Sequence, residues 1–350
     1  MRIDSVEVIP YALPFREPYV TARGVLERRE MALLRIRDEG GVVGMGEAVP
    51  LSLRGGTDLA TVVAELESWA EAPELLQPLD PPPVSAPAAC AIRTAELDLR
   101  ARREGVPAWS LLTYGAGEAE PVRCNATLVA GEPAQIAAEA ERWGDDGFST
   151  FKLKLGTEED VAAVEAVRAV VGPDARLRAD PNGVWTPEQA RDLLSRMEPV
   201  ELELVEEPVA TLEQMAALRE ETEVLLAADE SVSSPGDANE AFQLAACDLI
   251  TLKLSKIGAV DPSHFPEAIP YYLSSALDGP VGIAAAAHAA QALRAEGLDA
   301  GIAHGLATQR LFAETVASVE CELRGDMLHL PPGPGIGVEI DEAALERHRL

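Results

Sequence analysis

Hydrophobic and polar residues alternate along the first 48 residues of the chain, a period that is typical of β-strands. Two strand-like runs, IDSVEVIPYAL and MALLRIRDEGGVVGMGEA, flank a polar stretch from Arg16 to Glu27 that predicts a loop. The EGG sequence predicts a hairpin turn. Helical periodicity follows at residues 58–72 and in AACAIRTAELDLRARREG, which ends at a glycine. Strands followed by helices predict an α+β unit at residues 1–115.

The rhythm changes at Pro121, after which short apolar runs alternate with amphipathic helices. The predicted strands are VRCNATL, TFKLKLG, RLRAD, LELVEE, LLAADE, DLITLKL, YYLSSAL and AGIAHG. Thr157, Thr186 and Thr211 precede helices as candidate N-caps. Eight strands that alternate with helices favour a (β/α)8-type barrel at residues 116–315. A doubly wound open sheet is the structural alternative.

Two further stretches of the sequence depart from the regular alternation of strands and helices. The C-terminal run VECELRGDMLHLPPGPGIGVEID returns to strand and turn residues, so we expect residues 316–350 to pack back on the N-terminal unit. Between predicted strands six and seven, SKIGAVDPSHFPEAIPYY leaves room for only a turn or two of helix. The shape of a pocket near strand seven is therefore left open.

Charged residues stand at the ends of five consecutive predicted strands. They are Lys152 and Lys154, then Asp180, then Glu206 and Glu207, then Asp229 and Glu230, and finally Lys253. From Lys154 the steps to Asp180, Glu206, Asp229 and Lys253 are 26, 26, 23 and 24 residues, one βα unit each. In a barrel, the carboxyl ends of the strands form the mouth where active sites lie. Helix caps and solvated surface charges are the structural alternative.

The order of these residues indicates a chemistry. Three carboxylates on adjacent strands form an oxygen-ligand set for Mg2+, with Mn2+ as the alternative. Such an ion stabilises the enediolate that forms when a carbon next to a carboxylate loses a proton. A lysine with its ordinary pKa of about 10.4 is a poor base at neutral pH, but a second ammonium group and a metal lower that pKa. Lys154 is therefore the candidate base, and Lys152 the neighbour that tunes it.

These sequences together resemble the enolase superfamily, in its muconate-lactonizing-enzyme subgroup. The resemblance rests on GMGEA, AIRTAELDLRARREGVPAWSLL, KLK, RADPNG, VEEP, ADES, LKLSK and PGPGIGV. It implies an α/β fold, a modified TIM-type (β/α)7β barrel, with an α+β capping domain formed by the N-terminal segment and the C-terminal tail. It implies metal ligands at Asp180, Glu206 and Asp229, with acid–base or cationic roles for Lys154 and Lys253. The loop at residues 16–27, which contains the candidate substrate contact Arg23, would close over the substrate.

Within the subgroup, the paired serines of YYLSSAL and the G-L-x-T sequence after strand eight resemble o-succinylbenzoate synthases. The resemblance implies dehydration of 2-succinyl-6-hydroxy-2,4-cyclohexadiene-1-carboxylate, a step of menaquinone biosynthesis. The residues expected to bind this substrate are Arg178, Ser275 and Gly305. Asn182 and Glu230 are expected to support the metal ligands, although Glu207 and Glu230 also fit an interpretation as solvated acids.

Other reactions use the same kind of site. An N-acylamino-acid racemase, a dipeptide epimerase and a muconate-type cycloisomerase are the enzymatic alternatives, and a non-catalytic binding barrel is the alternative from another class. Dipeptide epimerases usually carry Asp-x-Asp after strand eight. This chain has Gly305-Leu306-Ala307 there, which counts against epimerisation.

Composition and charge exclude some classes of binding partner and indicate where the protein is located. A net charge of −30 argues against nucleic acid and anionic membranes as partners. The partner that we expect, from the metal-site chemistry and the resemblance, is a small-molecule carboxylate. The four cysteines are widely spaced, which indicates neither a zinc site nor a disulfide scaffold. No signal peptide is recognisable, and no run approaches the roughly 20 apolar residues of a membrane span, so we expect a cytoplasmic protein. A homo-oligomer is compatible with the sequence.

Overall fold

The computed structural model describes residues 2–21, 24–50, 56–73, 84–261 and 265–350. The alternating N-terminal residues form an antiparallel three-stranded sheet. Its strands are β1 (Ile3–Thr21), β2 (Gly24–Asp38) and β3 (Val43–Ala48). The helices that follow are α1 (Leu59–Glu71), α2 (Ala86–Glu104) and α3 (Ala108–Leu112). The EGG turn is confirmed, since the amide of Gly41 donates to the carbonyl of Asp38 between β2 and β3.

The prediction of a loop at residues 16–27 is wrong over most of that segment. Strand β1 continues to Thr21 and β2 begins at Gly24, and the two pair up to these residues after a register shift that follows Pro14. Aromatic and β-branched residues form this part of the hairpin, but interspersed charges and the shift hide their alternation in the sequence. Arg23 lies outside the described residues.

The chain from residue 122 forms a curled sheet of seven parallel strands, which confirms the predicted barrel-type α/β architecture. A short strand, β4 (Val122–Arg123), leads into it. The seven strands are β5 (Ala126–Leu128), β6 (Thr150–Lys154), β7 (Arg176–Asp180), β8 (Leu204–Glu206), β9 (Leu225–Ala228), β10 (Leu249–Leu252) and β11 (Tyr271–Leu273). One helix follows each strand: α4 (Pro133–Asp145), α5 (Asp160–Val171), α6 (Pro187–Met197), α7 (Leu212–Arg219), α8 (Pro235–Gln243), α9 (Leu254–Ile257) and α10 (Pro280–Ala295). Helix α9 has four residues, as the short segment predicts.

The predicted eighth strand joins the two edges of this sheet through isolated bridges rather than a continuous ladder. His304 pairs with Cys124 beside β5, and Gly305 pairs with Ser274 beside β11. The amide of Gly305 donates to the carbonyl of Leu273 at 2.8 Å. The segment therefore lies between the first and last strands of the sheet.

Two of the three predicted helix caps are confirmed. The hydroxyl oxygens of Thr186 and Thr211 each accept a hydrogen bond from the amide three residues further on. The prediction for Thr157 is wrong because α5 begins at Asp160, whose carboxylate accepts from the amide of Thr157 at 2.9 Å. In the parts of the chain described, no helix combines the length and apolar character needed to cross a membrane.

The C-terminal residues contact the N-terminal unit, and one of their strands pairs with β4 at the start of the barrel segment. They form β12 (Ala317–Val319), β13 (Glu322–Arg324), β14 (Met327–His329), β15 (Glu339–Ile340) and α11 (Glu342–His348). The amide of Leu350 donates to the carbonyl of Pro10 at 3.0 Å. The buried carboxylate of Asp98, on α2, accepts from the amides of Met45 and Ile336, both at 2.8 Å. This carboxylate therefore joins α2, β3 and the tail.

Helix α2 also packs directly on β3. A Cβ atom on Gly46 would lie 1.8 Å from the carbonyl oxygen of Ala91, so only glycine allows this approach. Together with the tail contacts, this packing supports our proposal that residues 1–115 and 316–350 form one capping domain on a barrel at residues 116–315.

A buried carboxyl group lies where the N-terminal sheet meets the barrel. Glu47, on β3, accepts hydrogen bonds from the hydroxyl of Tyr11 and from the amide of Gly282, the latter at 3.0 Å. Burial, together with the charge of Asp278, outweighs these hydrogen bonds and raises the pKa of Glu47 to about 7.

We predict that Glu47→Gln gains stability relative to the wild type as the pH rises from about 5 to about 8. Because folding raises the pKa of Glu47, its contribution to stability is present below its unfolded pKa and is lost as the pH rises through about 7. The rise in the pKa of Glu47 from its ordinary value of 4.5 to about 7 corresponds to a change in unfolding free energy of roughly 3 kcal/mol. Urea unfolding at both pH values measures the effect, with exposed Glu39→Gln as the control. An equal free-energy difference between Glu47→Gln and the wild type at both pH values would contradict this prediction.

Candidate active site

Charged side chains gather at the carboxyl ends of β6 to β10. The set consists of Lys152 and Lys154 on β6, Asp180 at the end of β7, Glu206 at the end of β8, and Asp229 and Lys253 one residue beyond β9 and β10. Each of these side chains is buried. Strands β6 and β7 are in register, so that Lys152 and Lys154 lie opposite Arg178 and Asp180. The structure therefore brings all six predicted residues into one buried cluster.

Ion pairs connect the members of this cluster. The Nζ atom of Lys152 lies 2.8 Å from Oδ2 of Asp180 and 2.6 Å from Oε2 of Glu206. The Nζ atom of Lys154 lies 2.5 Å from the same Asp180 oxygen. Lys253 pairs with Asp229. Lys154 and Lys253 thus contact different carboxylates, at opposite ends of the row that runs from β7 to β9.

Electrostatics keep the centre of the cluster charged. Burial alone would raise the pKa of Asp180, but the ammonium groups of Lys152 and Lys154 hold it well below its ordinary value. Burial alone would lower the pKa of Lys152, but the carboxylates of Asp180 and Glu206 raise it well above its ordinary value. Lys152 is therefore held as an ammonium ion.

The carboxylates have the donor chemistry of a hard divalent cation. The Oε1 atom of Glu206 is buried and has no hydrogen-bond partner among the described residues, whereas its Oε2 accepts from Lys152. Over those same residues, no three His, Cys, Asp or Glu side chains surround a common point, and Lys152 Nζ lies between Asp180 and Glu206. The donor atoms suit such a cation by their chemistry, and the ammonium groups would have to move aside for it to reach them.

The residues predicted to support the ligands lie beside them. Asn182 accepts a hydrogen bond from Lys154 at 3.3 Å and donates one to Glu230 at 3.1 Å. Glu207 is buried and accepts from the amide of Asp229 at 2.7 Å, so it is not a solvated acid. Burial and the charge of Glu230 raise the pKa of Glu207 to about 7.

Arg178, predicted to bind substrate, is fully buried in the barrel wall. Its Nε donates to Glu203 at 2.5 Å, and its Nη1 donates to the carbonyl of Ala303 at 2.6 Å. It lies two residues before Asp180 on β7, so its side chain occupies the next interior level of the barrel. These contacts favour a supporting role over contact with substrate.

The remaining predicted substrate residues have local partners too. The hydroxyl of Ser275 donates to Asp278 at 2.7 Å, in the turn that leads to α10. A Cβ atom on Gly305 would lie 2.5 Å from the hydroxyl oxygen of Ser274, so a larger residue there would force the Ser274 side chain to move. Arg23 falls outside the described part of the chain.

Two residues of the cluster were not predicted. Lys256 contacts the Oδ1 atom of Asp229 at 2.8 Å, and the hydroxyl of Tyr272 donates to Oε2 of Glu206 at 2.5 Å. The chain contains only four lysines among 350 residues, and all four lie in this cluster. That scarcity was the signal for Lys256. No comparable signal marks Tyr272, because tyrosine is an ordinary residue of buried strands.

Family models match most of the chain. Residues 3–113 match the mandelate racemase / muconate lactonizing enzyme N-terminal domain. Residues 135–344 match the enolase C-terminal domain-like family. The chain therefore belongs to the enolase superfamily, in its muconate-lactonizing-enzyme subgroup, as its sequence predicted.

Individual relatives differ in their reactions. A hydrophobic dipeptide epimerase from Enterococcus faecalis is 33% identical over 74% of this chain and 77% of its own length. The crystal structure of the dipeptide epimerase from E. faecalis V583, complexed with Mg and the dipeptide L-Leu-L-Tyr, has a TM-score of 0.88 at 28% identity, covering 97% of this chain and all of that one. An o-succinylbenzoate synthase from Geobacillus stearothermophilus is 26% identical over 99% of this chain and 96% of its own length. The synthase reaction itself stays a prediction.

Proposed function

We propose that this enzyme removes a proton from the carbon next to a carboxylate, with a divalent metal, and that its reaction is the dehydration that yields o-succinylbenzoate. The observation that carries the proposal is the buried row of carboxylates with Lys154 and Lys253 at its opposite ends. A planar substrate held against such a row has a lysine near each face. The substrate is then a small-molecule carboxylate.

Asp180, Glu206 and Asp229 would hold the metal, with Mg2+ favoured and Mn2+ as the alternative. The Oε1 atom of Glu206 has no hydrogen-bond partner among the described residues, which supports this assignment, as does the Mg in the dipeptide epimerase structure. When bound, the ion would supply positive charge for the substrate carboxylate and for the enediolate. Asn182, Glu207 and Glu230 would keep the ligands and Lys154 in place.

The three lysines have different roles in the proposed reaction. Lys154 takes the proton from the carbon next to the ring carboxylate, and hydroxide leaves from the neighbouring carbon, so that one water is lost overall. Lys152, held as an ammonium ion, supplies fixed positive charge two residues from the base. Lys253 remains a cation, and its positive charge stabilises the planar anion. Lysine suits position 154 because a base must give up its proton, which arginine cannot do in a protein.

The second candidate is an epimerase or racemase of amino-acid derivatives, in which Lys154 and Lys253 both exchange protons. The 33% identity to a dipeptide epimerase favours it. Against the dipeptide epimerase stands the segment after the closing strand, Gly305-Leu306-Ala307, which has no carboxylate for the α-ammonium group of a dipeptide. A free ammonium group needs a carboxylate partner, whereas the succinyl substrate has no ammonium group and needs no such partner.

We predict rapid conversion of the cyclohexadiene substrate to o-succinylbenzoate in the presence of Mg2+, measured by ultraviolet absorbance. EDTA removes the activity. Lys154→Ala lowers kcat at least about a thousandfold because the base is lost. Lys253→Arg keeps a cation that cannot exchange protons, so the synthase retains more activity in Lys253→Arg than in Lys253→Ala.

The same variants distinguish the two candidates. Deuterium exchange at the α-carbon of N-acylamino acids and dipeptides, from both stereoisomers, reports the isomerase reaction. Fast exchange without o-succinylbenzoate formation by folded, metal-loaded enzyme would overturn the synthase and leave metal-dependent proton abstraction standing. No reaction in either assay would overturn both.

A further inference from the structure

We propose that Tyr272 is a positioning residue for the metal: its hydroxyl fixes Glu206 so that Oε1 of that carboxylate is the oxygen presented to the ion. This inference rests on the proposed metal-dependent function and adds a residue to it. Tyr272 lies on β11, three strands away from Glu206 on β8, and reaches it across the barrel interior.

The two oxygens of Glu206 have different surroundings. Oε2 accepts from the hydroxyl of Tyr272 at 2.5 Å and from Nζ of Lys152 at 2.6 Å. Oε1 is buried and lacks a hydrogen-bond partner within the described chain. A buried carboxylate oxygen without a partner is costly, and a cation would relieve that cost. Since both donors hold Oε2, Oε1 is left for the ion.

The phenol is itself held from several sides. Tyr272 is fully buried, and its ring packs in a small apolar layer with Leu204, Ala227 and Leu249. The guanidinium carbon of Arg178 lies 5.4 Å from the ring centroid, a cation–π distance. Arg178 in turn donates to Glu203 at 2.5 Å. The hydroxyl therefore has little freedom to leave Glu206.

This arrangement gives the barrel interior two levels with different tasks. The lower level, built from Arg178 and the ring of Tyr272, supports the upper level, which carries the carboxylates. The Tyr272 hydroxyl connects the two levels. Loss of a hydrogen-bond partner of a metal ligand typically weakens metal binding about 10- to 100-fold. Lys152 cannot replace it, because the same ammonium group also pairs with Asp180.

The neighbouring residue offers a matched control. Tyr271 lies on the same strand, is equally buried, and donates its hydroxyl to the carbonyl of Pro266 at 2.5 Å, away from the cluster. Tyr272→Phe and Tyr271→Phe each remove one buried hydroxyl and leave the ring. A loss of stability from a buried hydroxyl is common to both variants, whereas an effect on Glu206 belongs to Tyr272→Phe alone.

The test is a Mn2+ titration of the wild type and both variants, in which electron paramagnetic resonance measures the concentration of the free ion. Thermal unfolding of the three proteins in EDTA shows whether each variant folds without metal. We expect Tyr272→Phe to raise the Kd for Mn2+ at least about tenfold. We expect Tyr271→Phe to stay within about twofold of the wild type. Both variants should fold in EDTA.

A Kd for Tyr272→Phe within about twofold of the wild type would overturn the inference while leaving the metal site intact. Equal weakening by Tyr271→Phe would overturn it as well, because the effect would then be general. Failure of Tyr272→Phe alone to fold in EDTA would assign the hydroxyl a structural role instead. A wild type that binds no Mn2+ would overturn the proposed metal-dependent function, and this inference with it.

Discussion

Mutual charge compensation inside the barrel is the constraint on which the rest of this structure depends. Three carboxylates and three ammonium groups are buried together, with the ammonium group of the partly exposed Lys256 beside them, and each buried charge would be unfavourable there alone. Lys152 illustrates the balance, since burial and its two carboxylate partners act on its pKa in opposite directions. A cluster held by opposite charges rather than by packing can exchange one cation for another. That property suits a site in which a metal and a substrate take over contacts that the lysines make.

The fold supplies the geometry that this balance needs. Parallel strands in register bring Lys154 beside Asp180, although the two residues are 26 positions apart in the chain. The isolated bridges at His304 and Gly305 join the sheet edges with little regular structure. Glu47 joins the N-terminal sheet to the barrel segment, and Asp98 joins α2 to β3 and to the C-terminal tail; both are buried carboxyl groups with backbone partners. Buried polar groups therefore hold both the site and the contact between the two parts of the chain.

Regular features could be predicted from the sequence. The spacing of the charged residues follows the βα repeat, so this spacing alone was enough to predict the cluster of Lys154, Asp180, Glu206, Asp229 and Lys253. The short α9 and the caps at Thr186 and Thr211 were predictable for a related reason, because local composition determines them.

Features set by tertiary partners could not be predicted in this way. Asp160 displaces Thr157 at the start of α5 because its carboxylate binds the amides of the preceding turn. Arg178 carries the charge of a substrate-binding residue, yet Glu203 and a carbonyl group engage it. Tyr272 reaches Glu206 from a strand that is not its neighbour. The choice between synthase and epimerase is of this kind too, since it depends on groups at the mouth rather than on the shared cluster.

A crystal structure of the protein with Mn2+, located by anomalous scattering, tests the central claim most directly. We expect one Mn2+ per chain, bound by oxygens of Asp180, Glu206 and Asp229, with the Nζ atoms of Lys152 and Lys154 displaced from Asp180. Manganese bound elsewhere would rule out these three carboxylates as the metal ligands. So would an Asp180 carboxylate that stays paired with Lys152 and Lys154 at saturating Mn2+.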